Sequence, residues 1–156
     1  MRRLSLLIAL ISAALAVATP DALAVTGGVR AYSLCGTSCA SFWAHGRGTV
    51  TQTAVGVTSG SLSGTITIRD RDGGHDFSVS NWASRKTLSD GSQLFKGSNL
   101  HFLATTSFRV KLVGQNISVS TVARGQATVI GTGQYTLNGP TAYAWTQQGR
   151  TLTLRK

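Results

Sequence analysis

Ser107-Phe108-Arg109-Val110-Lys111-Leu112-Val113 places Phe108, Val110 and Leu112 on one parity and Ser107, Arg109 and Lys111 on the other. Successive side chains of an extended chain point to opposite faces, so this period of two describes a half-buried strand with an apolar inner face and a basic outer one. The same pattern recurs in Thr65-Ile66-Thr67-Ile68-Arg69 and in Thr151-Leu152-Thr153-Leu154-Arg155. Weaker alternation marks 49–57, 77–81, 99–103, 116–122, 127–130, 134–137 and 143–147. The reading is about ten short strands, with no convincing helical stripe from Gly48 onward.

The separators are turn chemistry. Asp72-Gly73-Gly74, Gly114-Gln115-Asn116, Asn138-Gly139-Pro140 and Gln148-Gly149 stand between apolar runs, and glycine and asparagine accept the positive φ that tight turns require. Links this short join antiparallel neighbours, because a parallel crossover takes a dozen residues or more. The expected fold is therefore all-β, an antiparallel meander closed as a small barrel or barrel-like sandwich, since an open flat sheet would leave an apolar face wet. The polar stretch from Ala83 to Gly97 is expected to be a longer loop.

Composition agrees with this class. The chain has 156 residues, 18 of them glycine, and no glutamate, which excludes a coiled coil or helical bundle built on Glu, Lys, Ala and Leu. Arg2 and Arg3 precede an apolar run from Leu4 to Val17, and Ala22-Leu23-Ala24 follows the helix-breaking Pro20. That is the layout of a cleaved secretory signal, too short in its apolar part to span a bilayer. The expected organisation is a leader at 1–24, an N-terminal segment at 25–46 and one β domain at 47–156. Secretion or another extracytoplasmic location follows, and the two cysteines, Cys35 and Cys39, are then expected to form a disulfide.

Charge is the most informative functional feature. The chain carries 15 Lys and Arg against 5 Asp, a formal net charge of +10. Such a domain has a positive potential over much of its surface and attracts polyanions. Arg69, Arg109, Lys111 and Arg155 fall on outward strand positions, with Arg124 and Arg150 at turns, and these six are the candidate polyanion-binding residues. Tyr143 and Trp145, two apart on one strand, are candidate aromatic contacts for a sugar or base. The expected partners are anionic polysaccharide, wall polymer or nucleic acid.

Other chemistry is thinly supported. Asp70-Arg71-Asp72-Gly73-Gly74-His75-Asp76 resembles part of a calcium loop, but a chain without glutamate lacks that loop's final bidentate ligand, and a charged hairpin tip explains the same residues. No metal or cofactor is expected. The competing function is a small secreted hydrolase using His75 or His101 with an aspartate, although triad ingredients without geometry carry little specificity. Thr-x-Thr pairs at 49/51/53, 65/67 and 151/153 are irregularly spaced and read as β-branched residues on the wet face of strands.

Overall fold

Two long strands make most of the molecule. The computed structural model describes residues 33–156, so the expected leader lies outside the described residues. In chain order the strands are β1 (Ala40–Asp70), β2 (Phe77–Ser80), β3 (Ser84–Thr87), β4 (Gln93–Leu137), β5 (Ala142–Ala144) and β6 (Arg150–Leu154). β1 begins inside the expected N-terminal segment and runs through residue 47 without a break. A short turn of 3₁₀ helix, Gly36–Ser38, precedes it, enclosed by the Cys35–Cys39 disulfide.

All pairing is antiparallel, and every other strand pairs with β4. The unusual feature is that β1 has β4 on both of its sides. Val50 pairs with Leu112 and also with Val129, while Leu112 pairs with Val50 and also with Ile66. Val50 and Ile66 therefore flank one residue and lie about 10 Å apart, whereas the extended chain between them would reach about 50 Å. β1 must wind once around the core to return beside itself, and β4 winds with it.

The result is one coiled sheet with two layers. In one layer Arg150, Val129, Val50, Leu112, Ile66, Phe95 and Arg85 lie side by side. In the other, the order is Tyr143, Tyr135, Ala44, Val119, Gly60, Phe102 and Val79. Inward side chains of both layers, among them Phe42, Val50, Ile66, Phe102, Leu112 and Val119, meet in one core.

The all-β, antiparallel expectation holds, but the closed barrel of about ten short strands does not. The sheet is not closed into a barrel: β2 and β3 form its edge at one end of the coil, β5 and β6 at the other. Nor is it a meander, because segments read as consecutive hairpin strands are successive passes of a continuous chain. The physical reason lies in the glycines. Gly131, Gly48, Gly114, Gly64 and Gly97 are successive partners across the sheet, and they form a bare line along which it bends over. At Gly48, φ is +133° and an added Cβ would run into the carbonyl oxygen of Ile130, so the close backbone approach at this bend requires glycine. Gly114-Gln115-Asn116, expected to be a hairpin turn, instead lies within β4. There Asn116, with φ +51°, shifts the inward parity from Leu112 to Ile117.

The stretch expected as a loop, 83–97, contains β3 and the start of β4. Its edge position is managed by charge, since Arg85 and Lys86 occupy the middle of β3 and discourage further strand pairing. The turns around Asp72 to Gly74, Asn138 to Pro140 and Gln148-Gly149 lie between strands as expected.

Candidate functional site: a cationic sheet face

Alternation along each pass sorts the outward side chains of the first layer into rows. Thr151, Thr128, Thr51, Lys111, Thr67, Leu94 and Lys86 form one row, and Thr153, Gln126, Thr53, Arg109 and Arg69 the next. On either side run Ile130, Thr49, Val113, Thr65, Lys96 and Ser84, and then Arg124, Val55 and Ser107. Six strand-borne cations thus share this face: Arg69, Lys86, Lys96, Arg109, Lys111 and Arg124. None of the residues in these rows is acidic. The threonines whose sequence spacing looked irregular are aligned here by the winding, and Thr128 and Thr151 hydroxyls lie 3.0 Å apart.

The outward face of the second layer is different. Its rows are Thr136, Trp43, Ser120, Ser59, Leu103 and Ser78, followed by Gln134, His45, Ser118, Ser61, His101 and Ser80. Lys, Arg and Asp are absent from both. Because the inward sides of the two layers share one core, these outward faces look away from each other. The two layers therefore differ: one carries the cationic rows, and the other carries two rows without charged side chains, bordered at the glycine bend by Arg47.

The centre of the basic side is the pair Arg69 and Arg109, direct cross-strand partners. Residues in this relation have Cβ atoms about 5 Å apart, and like charges there repel. Lys111 stands one step along the same strand and is exposed, as are Arg69 and Arg109. No ion pair neutralises the three among the described residues. Arg69 acts on one carboxylate, Asp90, whose pKa is lowered chiefly by the N–H and hydroxyl of Ser92 and to a smaller extent by Arg69.

The other candidate residues fall elsewhere. Arg150 lies at the start of β6 with its guanidinium 5.9 Å from the rings of both Tyr135 and Tyr143, a cation–π arrangement. Arg155 follows β6, and its carbonyl accepts a hydrogen bond from the Asn138 side chain. Tyr143 is exposed and stacks on Tyr135, centroids 5.4 Å apart. Trp145 is only 5% exposed and belongs to the core, so these two aromatics present no common platform. Lys86 and Lys96 were not singled out in the sequence because they lie in the stretch read as a loop, where the adjacent apolar residues Leu94 and Phe95 blur the period of two.

Chemistry beyond charge is sparse. His75 sits in the turn after β1 and His101 on the uncharged face, and among the described residues neither side chain hydrogen-bonds an aspartate. Asp70 instead organises its own turn, accepting the N–H of Asp72 at 3.0 Å and that of Asp76 at 3.3 Å. Burial works to raise its pKa, but hydrogen bonds from Asp72, Asp76 and His75 outweigh it and hold the carboxyl at about 2. No three His, Cys, Asp or Glu side chains converge on a metal-sized position among the described residues. A shallow depression of about 270 Å³ lies over the glycine line, walled by Arg47, Gln115, Thr132 and Gln147. No described helix is long and apolar enough to cross a membrane. Comparison with protein-family models, with curated proteins and with solved structures finds no match.

Proposed function

We propose that the protein is a binding domain for extracellular anionic polymers, engaged through the face that carries Arg69, Arg109 and Lys111. The observation behind this reading is the segregation of charge. Six strand-borne cations stand on one layer, the other layer's outward rows have none, and Arg69 directly faces Arg109. Solubility alone is served by cations spread over the whole surface, whereas a one-sided array with a repulsive pair at its centre suits a ligand that supplies the missing negative charge. The interleaved threonine hydroxyls add neutral donors for phosphate, sulfate or carboxylate oxygens. A setting outside the cytoplasm fits the leader-like N-terminus and the disulfide.

The test is a binding titration against heparin fragments, polyphosphate and duplex DNA over a range of salt. Affinity is expected to fall steeply with ionic strength. For DNA, the logarithmic slope is expected to shrink by roughly one unit for each contacting cation replaced. The triple variant Arg69→Ser, Arg109→Ser, Lys111→Ser should lose binding to all three probes. Equal loss from Arg47→Ser, Arg85→Ser and Arg150→Ser together, which lie off this array, would overturn the assignment of the face.

A further inference from the structure

We infer that the uncharged face is a second binding surface, for a neutral polysaccharide chain, centred on Trp43 and His45. Both side chains are outward on β1 and two residues apart, with parallel rings, 9° between planes and 6.0 Å between centroids. Trp43 is 39% exposed, an uncommon cost in apolar surface for a chain with only three tryptophans. A glycine-rich core is short of large side chains, so burial would be the ordinary use of Trp43. The core is instead completed by Phe42 on the opposite parity, which leaves the indole ring outside.

The identity of the occupant follows from what surrounds the rings. On the neighbouring passes, Trp43 meets Ser120 and Thr136, and His45 meets Ser118 and Gln134. These direct cross-strand neighbours supply hydroxyl and amide groups and no fixed charge. A pyranose ring presents an apolar C–H face to an aromatic ring and equatorial hydroxyls to neighbouring polar groups, which matches this surface in both respects. Successive bases of a nucleic acid also stack on aromatics, but such a strand needs cations beside the rings to track its backbone. Here the array of six cations points away on the other layer, and Arg47, exposed one step beyond His45 at the glycine bend, is a single charge where a tracked backbone needs a row of them. The pair of parallel rings along one strand suits consecutive units of a chain better than a single sugar.

Mobility in native gels containing hydroxyethylcellulose, laminarin or soluble chito-oligosaccharides tests this, together with quenching of tryptophan fluorescence by the same probes. Retardation by at least one of them, unchanged between low salt and 0.5 M NaCl, is the expected result. Trp43→Ala should reduce the affinity by 10-fold or more, and Ser120→Glu, which places a charge beside the ring without touching the core, should do likewise. Trp82→Ala, at the other well-exposed tryptophan, should leave it unchanged. The Arg69, Arg109 and Lys111 triple variant should bind these neutral probes as the parent does, so the test is independent of the anionic-polymer reading. No retardation by any of the three glycans, or retardation that survives Trp43→Ala or collapses with salt, would overturn the proposal.

Discussion

Arg69 and Arg109 are direct partners across an antiparallel pair of passes, and no carboxylate lies in their row. Cross-strand pairs of like charge are destabilising by roughly 0.2–1 kcal/mol, so Arg109→Ser is expected to raise the melting temperature by about 1–4 °C in low salt while weakening polyanion binding. In 0.5 M NaCl the gain should shrink towards zero, since screening already relieves exposed charges. Thermal melts at the two salt concentrations provide the check.

Gln52, Thr121 and Thr58 form a polar group inside the core, each at most 1% exposed. The Gln52 amide donates to the Thr121 hydroxyl at 2.7 Å, and the Thr58 and Thr121 hydroxyls lie 2.8 Å apart. Thr121→Val strands both neighbours and is expected to cost about 1–3 kcal/mol. Adding Gln52→Met should recover part of that loss, because removing both partners is cheaper than removing one. Urea denaturation of the two single variants and the double variant measures the coupling.

The line of glycines should be intolerant of side chains where the backbones approach. Gly48→Ala combines a φ of +133° with a Cβ directed at the Ile130 carbonyl, and a loss above about 2 kcal/mol is expected. Gly139→Ala, with nothing within 4 Å of the added atom, should stay within about 0.5 kcal/mol of the parent. Thr106 is the converse case. It is β-branched yet holds φ at +65°, opposite Gly56, so Thr106→Gly should relieve backbone strain of about 1 kcal/mol or more.

Asp70 gives the protein an acid-sensitive turn. Its carboxyl titrates at about 2 when folded, below the unfolded value of about 3.9. The stabilisation is therefore fully present above pH 4 and is lost as pH falls towards 2. Asp70→Asn should lower stability at pH 7 and make no difference at pH 1.5. Amide hydrogen exchange at Asp72 and Asp76 across that range is a local readout.

Local pattern made the strand faces legible. Phe108, Val110 and Leu112 are buried and Arg109 and Lys111 exposed, as their alternation implies, and the same holds for Ile66, Ile68 and Arg69. Which segments become neighbours was hidden, because period-2 reading treats every glycine-containing break as a reversal. Gly97, Gly114 and Gly131 are evenly spaced in the chain, and Gly48 and Gly64 nearly match that interval. An interval that long, shared by two segments running in opposite directions, is the signature of winding, and pattern searches over 8–12 residues pass over it. The gathering of cations on one side depends on that winding, so each outward residue was readable and their shared face was not.

A coil of this kind has the symmetry of a screw, and screws can be driven one thread too far. Sliding β4 past β1 by a full turn would still set glycine against glycine, with Leu112 where Val129 had been. The surroundings of Ala54 disfavour this, because it is flanked by Gly125 on one side and Phe108 on the other. Advancing one thread would press a phenyl ring into the space that a hydrogen atom occupies at Gly125, where the backbone lies against Ala54. A small residue between two very unequal neighbours thus makes one thread distinguishable from the next.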